Sequence, residues 1–295
     1  MENNLLLFGD VINDASLEKY NTYGIKTSCD YLVKPSNVDN LIELLNYLNN
    51  NSIKYYLIGK GSNIILPDSK LKGVIISLEN LDNIKRNDNY ISVEAGRLLS
   101  SFSIYCIDNN LSGFEYLATI PGTIGGALYG NAGVKDHEIY DNLVSIDIIR
   151  DNKLISLEKS EIDFSYRDTE FKHNKNDIIV RATFKLNCGN KEEMENIVKE
   201  SRLKRINSQP LEYKNAGSVF KNPEGNYAGK LIEEVGLKGF NVNDAEVSNK
   251  HANFIINKGN ATSKDIKELI KIIQKKVYEE KNIKLELEQI IVEWD

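Results

Sequence analysis

Between Gly113 and Gly133 the chain places six glycines (Gly113, Gly122, Gly125, Gly126, Gly130 and Gly133) among apolar and small residues, with one charge, Glu115. A solvated linker would carry polar neighbours, and this stretch has few. Bare backbone in an apolar setting suits a chain that must come very close to another backbone or to a bound group. A second, shorter glycine segment, Gly59-Lys60-Gly61-Ser62-Asn63, separates the apolar runs Tyr55–Ile58 and Ile64–Leu66. A turn of this kind can aim consecutive N–H groups at a pyrophosphate, with Ser62 and Asn63 adding side-chain hydrogen bonds. It is not a P-loop, because no Gly-Lys-[Ser/Thr] follows at Walker spacing, nor a Rossmann fingerprint, because no helix follows. Taken alone, such a turn is more often only a turn.

Ile120-Pro121-Gly122-Thr123-Ile124-Gly125-Gly126-Ala127, continuing to Gly130-Asn131-Ala132-Gly133, reads as a second wall of the same nucleotide site. Its small residues leave room for a flat ring and are expected to expose backbone donors to it. Two such segments in one chain favour one large cofactor over two unrelated loops.

The surrounding pattern mixes strands and helices. Tyr31-Leu32-Val33 reads as a strand ending at Lys34-Pro35. Val38, Leu41, Ile42, Leu45 and Leu48 recur at helical spacing, with Ser36 or Asn37 as N-cap. Val74–Leu78 and Tyr90–Glu94 are strands, Leu98 to Asn109 a helix, and Leu143–Arg150, Lys153–Leu157 and Ile178–Leu186 a meander. After Cys188-Gly189-Asn190 the composition shifts to the charged helix Lys191–Ile206. Helices follow at Tyr227–Val235 and Ser263–Glu280, the latter with Ile266, Leu269, Ile270, Ile273 and Val277 on one stripe. Asn253–Asn257 and Leu285–Val292 read as strands. The elements do not alternate as regular βαβ units, so the fold class is α+β. The boundary is placed at 187/188, giving domain 1–187 with two α+β subdomains and domain 188–295.

Composition narrows the function classes. The 295 residues suffice for two domains, and the net charge of −6 argues against a general nucleic-acid binder. Three distant cysteines, Cys29, Cys106 and Cys188, with three histidines, argue against a zinc site and for a reduced cytoplasmic protein. No metal site is expected. Met1–Leu17 lacks the basic start of a signal peptide, and no apolar run is long enough to span a membrane.

The pairing of Gly59–Asn63 with Ile120–Gly133 resembles the FAD-binding domain of the vanillyl-alcohol-oxidase (PCMH) type. Ala216-Gly217-Ser218-Val219-Phe220-Lys221-Asn222-Pro223, Ala228-Gly229-Lys230-Leu231-Ile232-Glu233 and His251-Ala252-Asn253-Phe254-Ile255-Ile256-Asn257 resemble the family of UDP-N-acetylenolpyruvoylglucosamine reductases (UDP-N-acetylmuramate dehydrogenases, MurB). The likeness runs from about Tyr23 to about Val292. The short spacing from Arg167 to Ser218 marks the loop-less second type. The resemblance implies FAD as cofactor, NADPH as co-substrate and a UDP-sugar carrying an enolpyruvyl ether as substrate, in peptidoglycan precursor synthesis. It implies no nucleic-acid, membrane or obligate protein partner.

By the same resemblance, the catalytic residues are Arg167, in the Tyr166-Arg167 pair, Ser218 as proton donor, and Glu288. Glu286 is the rival for the glutamate, and strand alternation would put both carboxylates on one face. An ungapped match back to His251 favours Glu288. Tyr166, Lys221, Asn222, Lys230 and His251 are substrate-binding residues. Gly59, Lys60, Gly61, Ser62, Asn63, Pro121, Gly122, Thr123, Gly125, Gly126, Asn131, Ala132 and Gly133 are cofactor-binding residues. The chain departs from the family pattern at Lys26-Thr27 (usually Gly-Gly), at Val134-Lys135-Asp136 (often Ala-Tyr-Gly) and at Gln289-Ile290 (usually Val-Arg). Other oxidoreductases on the same flavin-binding fold, or a flavin-binding protein without turnover, are the alternatives. Covalent flavin on histidine is disfavoured, since no His precedes His137.

The chemistry suits these residue types. Hydride addition to the enolpyruvyl methylene leaves negative charge on the neighbouring carbon and carboxylate, which a guanidinium can meet bidentately. The carbanion is basic enough to take a proton from a serine hydroxyl held within hydrogen-bond reach. Glu288 facing a substrate carboxylate would be relieved of repulsion by protonation and could then donate a hydrogen bond. The hydroxyl, guanidinium and carboxyl are expected to converge over the flavin's reactive face.

Overall fold

The computed structural model describes residues 1–174 and 176–294. The chain forms two compact units whose segments interleave. The first holds Met1–Asp14, Tyr31–Lys60 and Lys72–Arg202, and the second Ala15–Asp30, Gly61–Leu71 and Leu203–Asp295. This differs from the single cut at 187/188 predicted from the composition shift. The shift marks the start of the charged helix Lys191–Ser208, whereas the units follow their cores. Tyr23, Ile25 and Ile65, from the N-terminal half, are buried in the C-terminal core with Val219, Phe220, Leu231, Leu269 and Ile273.

In the first unit the helix Val38–Asn50 begins where the Asn37 side chain accepts from the Asn40 N–H at 2.8 Å. At thirteen residues it is near the length, about 12–15, at which isolated helices are marginal. Burial of Leu41, Leu44, Leu45 and Leu48 on one stripe therefore decides that it forms. The strands Gly9–Ser16, Ser28–Pro35, Leu71–Ser77 and Tyr55–Ile58 make one sheet in that order, the last two parallel. A five-stranded antiparallel sheet runs Lys153–Glu158, Leu143–Arg150, Ile178–Lys185, Tyr90–Glu94 and Ile84–Asn87. Its core includes Phe184 and Phe102, the latter on the helix Leu99–Asp108; each packs edge-on against Phe114, at 4.8 and 4.7 Å.

The glycine segment, read as loop, contains a short helix, Ile124–Tyr129. Glycine disfavours helix, but Thr123 Oγ1 caps the first turn by accepting from Gly126 N–H at 3.2 Å, and Ile124, Ala127 and Leu128 are buried. Tertiary burial overrides propensity here.

The second unit is built on the helix Ser263–Lys281, which opens with a reciprocal Thr262–Asp265 capping box and buries the predicted stripe. It packs against the helix Ala228–Glu234 and the strands Asn241–Val242 and Ala245–Val247. Ile255–Asn257 completes that antiparallel sheet. The predicted strand Leu285–Val292 is not continuous. Leu287 makes an isolated bridge to Phe220, and only Ile290–Ile291 is strand, parallel to Ile64–Ile65. The chain changes partner between these points, which alternation of side chains cannot reveal.

Candidate active site

The first unit assembles the long glycine segment around Arg167. Gly125 lies against Ala95, where an added Cβ would come within 2.9 Å of the Ala95 Cβ. The Ile124 and Gly125 N–H groups bond to the carbonyls of Arg97 and Ala95 at 2.8 and 2.9 Å, and the Gly126 N–H to Thr123 Oγ1. The expectation that this wall offers those donors to a ring is therefore corrected: they are used within the protein. What the segment does offer is room. A Cβ on Gly126 would meet only Thr123 Oγ1 at 3.5 Å, and one on Gly130 only the Gly126 carbonyl at 3.6 Å. Next to them Asn131 is fully buried, and its Oδ1 has no hydrogen-bond partner among the described residues. An open strip of bare backbone with an uncommitted buried acceptor fits a bound flavin.

Arg167 sits in a two-residue turn, with Ser165 paired to Asp168 and Phe164 to Thr169 on either side. Its φ of +56° is left-handed, a conformation uncommon for a residue with a Cβ. The guanidinium bonds to the Asn131 carbonyl through Nη1 at 3.0 Å and to the Gly133 carbonyl through Nη2. Glu138 lies 3.6 Å from Nη1, and the Tyr166 ring centroid 5.0 Å from Cζ. Asn131 Nδ2 in turn donates to Glu138 and to the Ser165 carbonyl at 2.7 and 2.9 Å. Arg167, Asn131 and Gly133 are thus brought together by one hydrogen-bonded cluster, with the Tyr166 ring against the guanidinium. At the departure Val134-Lys135-Asp136, a small hairpin pairs Val134 with His137, and the His137 ring stacks on Tyr116 at 3.6 Å.

The short glycine segment divides between the units. Gly59 and Lys60 belong to the first, where a Cβ on Gly59 would meet Thr123 Oγ1 at 2.9 Å. Lys60 Nζ lies 3.3 Å from Glu79, which also pairs with Lys34 at 2.6 Å. Burial raises the Glu79 pKa, but Lys34 and Lys60 outweigh it and hold the carboxyl below its ordinary value. Gly61, Ser62 and Asn63 belong to the second unit. Gly61 has φ +64°, and a Cβ there would fall on the Tyr20 carbonyl, so glycine is required twice over. Asn63 donates its side-chain amide to the Glu288 carbonyl at 3.0 Å.

The second unit brings Ser218 and the Glu288 segment side by side. The Glu288 N–H donates to the Val219 carbonyl, and the Lys221 N–H to the Glu286 carbonyl, both at 2.9 Å. Asn253 holds Phe220 from both sides, accepting from its N–H at 3.0 Å and donating to its carbonyl at 2.8 Å. The half-buried Ser218 hydroxyl has no hydrogen-bond partner among the described residues. The two glutamates differ: the Glu286 side chain is 77% exposed and 3.8 Å from Lys221, while Glu288 is half-buried.

The expected substrate residues have varied surroundings. Asn222 Oδ1 accepts from the Ala228 N–H at 3.0 Å, holding the first turn of the helix that carries Lys230. Lys230 is 65% exposed and 3.8 Å from Glu234. His251 Nδ1 accepts from the Asn253 N–H at 3.2 Å, and its ring meets Phe254 edge-on. Burial lowers its pKa. Gly229 leaves space for that ring, with a Cβ there only 3.2 Å from His251 Cε1. Asn253 and Gln289 brace the Ser218 loop; the sequence marked Gln289 only as a departure from the family pattern and Asn253 only as part of a motif, with no site role for either. Amides in apolar runs, both buried, are the signal that could have found them.

Among the described residues no group of three or more His, Cys, Asp or Glu could hold a metal ion, and no helix is long and apolar enough to cross a membrane. Residues 29–153 match the family model "FAD binding domain". With the bare-backbone strip described above, that match places the chain among FAD-binding proteins. Residues 209–292 match the model "UDP-N-acetylenolpyruvoylglucosamine reductase, C-terminal domain". The chain is 40% identical over 283 residues to the UDP-N-acetylenolpyruvoylglucosamine reductase of Clostridium botulinum, covering 94% of this chain and 93% of that one. It is 43% identical to that of Fervidobacterium nodosum, covering 86% and 82%. A crystal structure of the Thermus caldophilus enzyme superposes with a TM-score of 0.80 at 32% identity, over 96% of this chain and 98% of that one. The chain belongs to the UDP-N-acetylenolpyruvoylglucosamine reductase family.

Proposed function

We propose that this chain reduces the enolpyruvyl ether of UDP-N-acetylglucosamine enolpyruvate to the lactyl ether of UDP-N-acetylmuramate, in peptidoglycan precursor synthesis, oxidising NADPH. The observation that supports it best is the Ser218 hydroxyl, which has no hydrogen-bond partner among the described residues and sits on a loop tied to the Glu288 segment.

FAD, when bound, carries hydride from NADPH to the methylene carbon of the enolpyruvyl group. The reading gives the cofactor-holding surface to 1–187, along Gly59–Asn63, Pro121–Thr123, Gly125, Gly126 and Asn131–Gly133. It gives the substrate groups Lys221, Asn222, Lys230 and His251 to 188–295, together with Tyr166. Arg167 opposes the negative charge that hydride addition creates on the substrate carboxylate, and its fixed guanidinium needs little reorganisation to do so. Ser218 gives its proton to the adjacent carbon, completing reduction of the double bond. The serine is restored by a proton from solvent. Glu288 is assigned the hydrogen-bonding carboxyl, and the exposure of Glu286 favours that choice. The partners in this reading are small molecules alone, and the place is the cytoplasm, in keeping with three free cysteines.

The test is an anaerobic spectrum of the flavin-loaded protein. NADPH should bleach the flavin band, and the enolpyruvyl UDP-sugar should restore it with stoichiometric formation of the lactyl product. Failure of the sugar to restore the band in the wild-type protein would overturn the assignment.

A further inference from the structure

Gln289 stands where the family usually has valine, and it is 3% exposed. Its Nε2 donates to two successive carbonyls, Ala216 at 3.0 Å and Gly217 at 3.2 Å. Its Oε1 accepts from the Tyr23 hydroxyl at 3.0 Å. Tyr23 is fully buried, and burial pushes its pKa up, so the phenol keeps its proton and acts as donor. The donor and acceptor ends of the amide are thereby distinguished: only with Oε1 toward Tyr23 can the NH2 group reach both carbonyls. Tyr23 is itself anchored, its carbonyl accepting from Asn257 Nδ2 at 2.8 Å.

The two carbonyls immediately precede Ser218. Gly217 has φ +75°, a freedom that would let the serine swing, and its N–H is also tied, to Asn215 Oδ1 at 3.0 Å. On the other side of the serine, the Val219 carbonyl accepts from the Glu288 N–H. Gln289 is Glu288's neighbour in the chain, so one buried side chain fixes the loop of the serine to the segment of the glutamate. All these residues lie in the second unit.

We infer that Gln289, oriented by the Tyr23 hydroxyl, is a positioning residue that holds Ser218 for proton delivery. The inference rests on the assignment of Ser218 as proton donor. Gln289 never touches substrate in this account; it acts through the backbone of Ala216 and Gly217.

The experiment uses the flavin-loaded enzyme and follows the two half-reactions separately by anaerobic stopped flow. Gln289→Met keeps the length and near-equal volume but has no amide. Its flavin reduction by NADPH should stay within about twofold of wild type, while reoxidation by the enolpyruvyl UDP-sugar slows about 10–100-fold, the scale of a small misplacement of a reacting group. The solvent deuterium isotope effect on reoxidation should rise, because proton delivery becomes the slow step. Amide hydrogen exchange across 216–219 should quicken at least about tenfold as the two carbonyls lose their donor. Tyr23→Phe removes one oxygen atom and should show the same pattern at about 3–10-fold, and the double variant should be no slower than Gln289→Met. If Gln289→Met does not retain flavin, Tyr23→Phe carries the same test. The inference is overturned if reoxidation stays within twofold of wild type, or if both half-reactions slow equally, while Ser218→Ala abolishes reoxidation. If Ser218→Ala itself reoxidises normally, the serine assignment fails first and the inference with it.

Discussion

Arg167 and Ser218 are held in opposite ways. Arg167 is fixed at its tip, where the guanidinium spans two carbonyls with Glu138 and the Tyr166 ring nearby, and its backbone takes a left-handed conformation to bring it there. Ser218 is fixed at its root: the backbone on both sides is hydrogen-bonded, and the hydroxyl has no partner among the described residues. Side-chain length explains the contrast. Arginine has several rotatable bonds, and only contacts at its far end can define where its charge lies. A serine hydroxyl moves about a single torsion, so placing the backbone places the oxygen to within three rotamers.

The comparison can be broken in five ways. Ser218→Ala removes a group with no hydrogen-bond partner among the described residues, so it should lower kcat by about 10²–10⁴-fold while leaving the melting temperature nearly unchanged; calorimetry alongside steady-state kinetics checks both. Arg167→Lys keeps the charge and the left-handed backbone but loses the planar fork. It should lower kcat/KM by about 10²–10³-fold and also lower the melting temperature, since a single ammonium cannot span the Asn131 and Gly133 carbonyls. A melting temperature equal to wild type would show that the tip contacts are incidental. Asn253→Ala strips both hydrogen bonds from Phe220 and should cost about 1–3 kcal/mol in urea denaturation.

The smaller effects concern charge. Burial depresses the His251 pKa, so below about pH 6.5 the unfolded state binds a proton that the folded state resists. Stability should therefore be fully present above that pH and fall as the pH drops toward 5, less than the Asn253 effect, and His251→Gln should flatten the profile. Lys230→Gln, on a solvated helical pair with Glu234, should change stability by less than about 0.5 kcal/mol. A several-fold rise in substrate KM in that variant would support the contact assigned to Lys230; an unchanged KM would remove it.

The sequence carried the helices well where a stripe and a cap coincide, as in Val38–Asn50 with Asn37 and Ser263–Lys281 with Thr262. It carried the meander because Leu143–Arg150, Lys153–Glu158 and Ile178–Lys185 are β-rich runs between turns. It was silent on the helix Ile124–Tyr129, whose formation depends on burial against the sheet, and on the pairing of Ile290–Ile291 with Ile64–Ile65, since a parallel pair over 220 residues apart leaves no local trace. Of the site, the residue types and their order were readable. The roles of the bracing amides were not: Gln289 stood out only as a departure from the family pattern, and what it does depends on partners from Tyr23 to Gly217.

The amino-acid order by itself determined that two glycine segments, an arginine, a serine and a glutamate recur in the arrangement of a flavin-dependent reductase, because close backbone approach, anion contact and proton donation each need a particular residue type. Tertiary structure alone decided which of those groups are spent inside the protein: the glycine N–H donors, the Lys60 ammonium and the Asn63 amide are engaged, while the Ser218 hydroxyl has no partner among the described residues. Hydrogen-bond partners are fixed by distances between residues far apart in the chain, and no local pattern specifies them.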